Sequence, residues 1–481
     1  MRRKKDQENM FVKTPHLKLS KEQCQVLHEG SLEILERIGV CLQLPEAIEL
    51  LKKAGAKAFS DGLVRIPRRL VERAFQSVPR RVVLYDRNGK PAMPLGEGRC
   101  FYGPGSDCLN ILDHKTGVRR DPAVKDVADG ARLCDALPNI DFLMSMVLPK
   151  DVNQAMADTY QIEALLSHSI KPVLVVSYEL SGIINAVDMA KTILGGPEAL
   201  RQRPNLACYI NLVSGSFHNR ESLQKLLYLS GEGIPFFYIP ASTPGATSPI
   251  TAAGSVALDN AGVLLGLVLS QLNREGAPYI MSGMEGSPLD MRTMVSTYAY
   301  PERGFFEALG HHYGMPMFAL SGASESKIVD QQAAAEAALT LMADTFGGGH
   351  LIHDLGYLES GNTFSFVQLV ICDQIVNWIK AFFREIEISK ETLALDLIEQ
   401  VGPKGSYLTT EHTLRHYREQ WYPDLFERGN FSNWTQLGSR NLGERAAARV
   451  EGILHEYQPE PLSEDLRAEL RKIVERTKTA S

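Results

Sequence analysis

Eight short apolar runs, each followed by a segment long enough for a helix, recur between residues 99 and 354. They cover residues 100–103, 142–148, 173–178, 206–213, 235–239, 279–282, 317–321 and 350–354. Continuous apolarity over a strand's length predicts a strand covered on both faces, as in a parallel sheet. Strand followed by helix, eight times in about 285 residues, is what a TIM (β/α)8 barrel requires. A doubly wound sheet would need a glycine fingerprint for phosphate after an early strand, and none follows these runs. The predicted fold class is α/β: a TIM barrel with an α-rich N-terminal layer and a helical C-terminal extension.

The flanks set the predicted organisation. Ser20 can cap a helix whose stripe is Val26, Leu27, Leu32, Ile34, Leu35 and Ile38. Pro45 opens a second helix, and a third, over 69–77, lies between short strand candidates at 63–67 and 82–85. After Lys380 the chain turns charged and helical, broken by the loop Gly402-Pro403-Lys404-Gly405. The reading is an N-terminal layer over 1–98, a barrel over 99–385 and a helical extension over 386–481.

Composition narrows the function class. Apolar content of 44% and charged content of 22% are those of an ordinary globular enzyme. A net charge of −6 gives no general attraction to nucleic acid. The most apolar stretch, 252–272, is interrupted by Asp259 and Asn260, which leaves about ten apolar residues where a bilayer span needs about 20. It predicts a core helix and no membrane partner. The basic start Arg2–Lys5 runs into Asp6, Gln7 and Glu8, with no apolar region of a secretory signal. Seven scattered cysteines without a CxxC pair suit reduced thiols, so the expected location is cytoplasmic. No GxSxG, Walker A or HExxH pattern occurs, which argues against hydrolase-triad, kinase and zincin chemistry.

One stretch carries more than periodicity. From residue 305 to 371 the chain reads Gly314-Met315-Pro316, then Ser321 to Lys327 as SGASESK, then Asp330 to Glu336 as DQQAAAE, then Gly347-Gly348-Gly349 with His350 and His353. Ser324, Ser326 and Asp330 are polar groups suited to the start of a helix. The stretch resembles the trimethylamine methyltransferase family, and the likeness runs from about residue 17 to 450. The resemblance implies a TIM barrel whose lumen holds a methylated amine. It also implies a corrinoid (cobalamin) carried by a separate corrinoid-binding protein, whose Co(I) accepts the methyl group; no bound metal of the chain's own is expected. Family members acting on trimethylamine carry pyrrolysine, whereas every residue here is standard. The branch without pyrrolysine is similar to glycine betaine methyltransferases and relatives acting on proline betaine, carnitine or γ-butyrobetaine. Family analogy also implies a homo-oligomer.

Such a substrate needs aromatic faces, because a quaternary ammonium has no N–H to donate. Phe101, Tyr102, Tyr178, Tyr209, Phe237, Tyr238 and Tyr357 fall near the predicted strands, and core packing is the alternative for each. Tyr102 is favoured because Gly103-Pro104-Gly105 follows it and can bend the chain over the barrel mouth. His350 and His353 flank Leu351-Ile352, with Asp354 beside them. Residues three apart on a strand point to opposite faces, so the pair is not expected to share one ion. His353, nearer the strand top, is expected to hydrogen-bond a substrate carboxylate. Glu285 and Gln331 could orient substrate or corrinoid, although polar groups in such places commonly cap helices. No catalytic residue is singled out. Two other readings stay open: a zinc-dependent barrel using His350, His353 and Asp354, and a non-catalytic protein that binds a betaine or a corrinoid protein.

Overall fold

The computed structural model describes residues 15–283, 288, 290–293 and 303–480. Its centre is a closed ring of eight parallel segments in chain order. Phe101–Pro104 pairs with Leu351–Leu355, which pairs with Phe318–Leu320. A bridge from Met317 to Met281 joins Tyr279–Ile280. The ring continues through Phe236–Pro240, Leu206–Leu212 and Val173–Val176. A bridge from Val173 to Leu143 then reaches the second segment, where the Asp141 amide donates to the Tyr102 carbonyl at 2.6 Å and closes the circle. This is the predicted TIM barrel. The second strand falls short: 142–148 is held by isolated bridges, and Met146 at φ +63° breaks its extended run.

Alternation along the strands sorts their side chains into two layers. Phe101, Phe142, Met144, Leu174, Phe237 and Phe318 belong to the cluster inside the barrel, with Tyr209, Val176 and Leu320 against it. Their neighbours Tyr102, Leu143, Val175, Cys208, Tyr238 and Ala319 pack outward under the helices. The hairpin formed by Val82–Tyr85 and Pro91–Leu95 adds Val82, Leu84, Met93 and Leu95 to the inner cluster. It plugs the N-terminal end of the barrel, so the lumen opens at the strands' C-terminal ends.

The outer parts are fastened by specific contacts. Val40–Leu42 pairs with Leu63–Arg65 and with Phe217–His218, tying the N-terminal layer to a barrel loop. The apolar helix Ala252–Asn273 is mostly enclosed between that layer and the barrel. Its two polar interruptions are partnered there through one atom each: Asp259 Oδ1 accepts from Ser242 and the Gly215 amide, and Asn260 Nδ2 donates to Ser31 and Tyr313. The helix Leu442–Glu456 packs on Phe366–Phe382 near the end of the chain.

Candidate functional site

Four rings meet inside the open end of the barrel. Phe237 and Phe318 stack with centroids 4.4 Å apart. Tyr209 stands edge-on to both, at 5.5 and 5.6 Å. His353 lies 4.2 Å from Phe318 and 6.2 Å from Tyr209. The strand registers bring them together: Tyr209 pairs with Phe237, and Leu320, two residues beyond Phe318, pairs with His353. Tyr209, Val176 and Leu320 are only partly buried although they sit on inner faces, which marks open lumen above this ring set.

His353 is the polar member. Its side chain is 5% exposed, and its Nδ1 lies 2.5 Å from an Asp354 carboxylate oxygen. That contact is close enough for an ion pair but is not aligned as a hydrogen bond, so neither ring nitrogen has a hydrogen-bond partner. Buried polar atoms without partners are rare and ask for an explanation. Asp354 holds φ at +89°, and the pairing with Phe101–Pro104 shifts register between Ile352 and Leu355. Strained backbone of this kind gathers at functional sites.

A second carboxylate lies close by. Asp107 follows the Gly103-Pro104-Gly105 turn and has φ +57°. It accepts from Ser145 Oγ at 2.6 Å and from Gln161 Nε2 at 3.0 Å. Burial pushes its pKa up to about 6 against those hydrogen bonds, with Asp158 adding repulsion. Burial, then the charges of Asp354 and Asp107, raise the Tyr209 hydroxyl above the usual phenol range.

The predicted residues divide. Tyr209, Phe237 and His353 share the open end of the lumen, and Phe101 lines the lumen in the same apolar cluster as the plugging hairpin. Tyr102 does not face the lumen. It points outward, its hydroxyl 2.7 Å from Thr345 Oγ1 and its ring 5.7 Å from Lys380 Nζ, because it is one residue out of phase with Phe101. Tyr178 is 88% exposed, since its strand ends at Val176. Tyr357 is buried against the loop after the first strand, its hydroxyl hydrogen-bonded to the Ser106 backbone. Gly105 allows this, because a Cβ there would stand 2.1 Å from the Tyr357 ring. Gln331 is exposed at the first turn of Gln331–Phe346, and Asp330 caps that helix through the Ala333 amide. Glu285 lies outside the described residues.

His350 and His353 do sit in separate surroundings. His350 Nδ1 accepts from the Met317 amide at 3.3 Å, and its ring lies 5.8 Å from His311. Burial, with His311 adding to it, lowers its pKa to about 4, so it is neutral at pH 7. No cluster of three metal-ligating side chains occurs among the described residues. Sequence reasoning missed Phe318 and Asp107. The parity of Phe318 with Leu320 within its run, and an acid directly after the Gly-Pro-Gly turn, were the signals available.

Comparison with known proteins extends this geometry. The family model described as trimethylamine methyltransferase (MTTB) matches residues 2–481. The chain is 33% identical to the trimethylamine methyltransferase MttB of Desulfitobacterium hafniense, over 95% of this chain and 93% of that one. It is 27% identical to a glycine betaine methyltransferase of the same species, over 95% and 96%. The crystal structure of the monomethylamine methyltransferase MtmB of Methanosarcina barkeri shares its fold, with a TM-score of 0.51 at 12% identity, covering 98% of this chain and 90% of that one. The chain belongs to the trimethylamine methyltransferase (MTTB) family and is a corrinoid-dependent methyltransferase of the methylamine and quaternary-amine class.

Proposed function

We propose that this enzyme moves a methyl group from a quaternary amine, glycine betaine first among them, to the Co(I) of a corrinoid protein. The observation that carries the reading is His353, a buried histidine without hydrogen-bond partners among three aromatic rings at the open end of the lumen. A betaine has two ends, and this arrangement suits both. The faces and edges of Tyr209, Phe237 and Phe318 take the trimethylammonium, each good contact contributing roughly 0.5 to 2 kcal/mol. Asp354 stands beside Nδ1 on one side of the ring, and an Nε2–H on the other side donates to the carboxylate.

The residues contribute position and desolvation. A quaternary nitrogen already carries the charge that makes a neutral amine the leaving group. The rings hold the C–N bond along the barrel axis, and the plugged lower end keeps water out, so that attack from the mouth is in line. The reduced corrinoid supplies the nucleophile. Proline betaine, carnitine and γ-butyrobetaine pair the same two groups and are alternative substrates. The free cysteines and a Co(I) acceptor both fit a reducing, cytoplasmic setting.

Trimethylamine is the second reading, favoured by the higher identity to a protein named for it, 33% against 27%. The all-standard sequence weighs against it. The zinc reading needs His350 and His353 on one ion, and their rings face different surroundings. The test is to offer Co(I) cobalamin or a reduced corrinoid protein with glycine betaine, proline betaine, carnitine, γ-butyrobetaine and trimethylamine separately. Methylated corrinoid with a betaine and none with trimethylamine is the expected result. Methylation by trimethylamine alone would move the second reading ahead. Calorimetric binding of a betaine with no methyl product would support a non-catalytic binding protein.

A further inference from the structure

We infer that Asp107 is the residue that selects a positively charged substrate head: its unshared carboxylate oxygen supplies the counter-charge for a methylated ammonium held among Tyr209, Phe237 and Phe318. This role rests on the reading proposed above, which leaves Asp107 unused. Asp107 follows the Gly103-Pro104-Gly105 turn at the end of the first strand. The loop before it is clamped: the Tyr357 hydroxyl accepts from the Ser106 amide and donates to the Ser106 carbonyl. The loop also lies along the second strand, the Met146 amide donating to the Gly105 carbonyl and the Cys108 amide to the Met146 carbonyl, both at 3.0 Å. Bonds on both flanks thus hold Asp107 at φ +57°, in the left-handed region.

The carboxylate is anchored by one oxygen. Ser145 Oγ and Gln161 Nε2 both donate to Oδ1. Gln161 is itself fixed, since the same nitrogen donates to the Val147 carbonyl at 2.7 Å. Oδ2 accepts no hydrogen bond among the described residues, and it is not among the enclosed polar atoms, so it stands open. Its charge, with that of Asp354, acts on the Tyr209 hydroxyl, which puts it beside the ring set. One oxygen therefore sets the position of the side chain, and the other is presented to whatever occupies the mouth of the lumen.

The surroundings give this charge no partner from the chain. Asp158, in the first turn of the helix Ala157–His168, repels it. Asp354 lies across Cys108 and Tyr357, on which both carboxylates act, and His353 is the group paired with Asp354. Among the described residues no lysine or arginine forms an ion pair with Asp107 or Asp354. A carboxylate kept in such a place without a cation costs stability, and a ligand that brings the cation restores the balance. The same lumen then discriminates against an uncharged head of equal shape, which leaves the charge unpaired. A quaternary ammonium has no N–H, so the attraction is one of charge and needs proximity to Oδ2 rather than alignment. A cation beside Asp107 also favours its ionised form. Binding therefore lowers this carboxyl from about 6 and releases a proton near that pH, and none at pH 8, where the group is already ionised.

The test is titration calorimetry on the full chain and on Asp107→Asn, with no corrinoid protein present. The ligands are glycine betaine, tetramethylammonium and 3,3-dimethylbutyrate, in which carbon replaces the nitrogen of betaine. At pH 7.5 the wild type should bind betaine more tightly than its carbon isostere, and Asp107→Asn should reduce that ratio about 10- to 100-fold, the size of one close charge pair near a protein surface. The rings are the same in both proteins, so their own preference for a cation cancels. Tetramethylammonium has no carboxylate to engage His353. Titrated in buffers of different ionisation enthalpy, it should release up to about half a proton from the wild type at pH 6, none at pH 8, and none from the variant at either pH. A betaine-to-isostere ratio that Asp107→Asn leaves unchanged, or proton release that persists in the variant, would overturn the inference alone. A wild type that binds neither cation would overturn the proposed reaction with it. Discrimination by Asp107 in an enzyme that demethylates only trimethylamine would uphold the inference and refute betaine as substrate.

Discussion

Replacing Asp107 by Asn separates what the site costs from what it does. Burial raises this carboxyl from 3.8 to about 6. The folded state therefore keeps a proton that the unfolded chain has already released. Stability is fully retained below the unfolded value and falls as pH rises towards the folded one. At about 1.4 kcal/mol per unit, the ionised side chain costs the fold up to about 3 kcal/mol above pH 7, and about half that at pH 5. Partial exposure at the lumen mouth screens this, so about 1 to 2 kcal/mol is expected at pH 8. Asn keeps an oxygen to accept from Ser145 and Gln161 while removing the charge. Urea unfolding at pH 5 and pH 8 is the assay. Asp107→Asn should be more stable than wild type at pH 8, with a smaller gain at pH 5. The same change should raise KM for a cationic substrate, since it removes a negative charge beside Tyr209. Destabilisation at pH 8, or a gain of equal size at both pH values, would refute the reasoning.

Three further outcomes follow from the same geometry. Phe318→Leu removes the ring that touches both Phe237 and His353; it should raise KM for the amine about 3- to 30-fold, by the size of one cation–π contact, with a smaller change in kcat. Tyr102→Phe should cost about 1 kcal/mol in thermal or urea unfolding through the lost Thr345 bond and leave KM unchanged, because this ring lies outside the lumen. Asp344→Ala removes a buried carboxylate that stands 2.7 Å from the buried Arg303 guanidinium and accepts from Ser321, and should destabilise by about 3 to 5 kcal/mol in the same unfolding assay.

The barrel was legible because parallel strands covered on both faces leave continuous apolar runs, and all eight runs mark ring segments. The direction of each side chain was not legible from the runs themselves. Phe101 and Tyr102 are adjacent aromatics in one apolar run, and only the register against Leu351–Leu355 decides that Phe101 faces in. The same uncertainty hid Phe318 among the apolar residues of its strand. Tyr178 failed for another reason: the run 173–178 continues past the last paired residue, Val176. Asp107 and Asp354 owe their places to positive φ angles that no periodicity announces. His353 was readable because polarity within an apolar strand near its top has few structural uses. The C-terminal segment read as charged and helical, and its exposed apolar residues became visible only once the fold left them without a layer to cover.

The central claim is methyl transfer from a quaternary ammonium held in the aromatic lumen. A single-turnover reaction with methyl-labelled glycine betaine and a reduced corrinoid protein tests it most directly. The account predicts one labelled methyl group on cobalt for each dimethylglycine released, and a loss of that transfer at low substrate in His353→Gln and Phe318→Leu. Label that stays on the betaine while trimethylamine transfers its methyl, or transfer that neither substitution weakens, would contradict it.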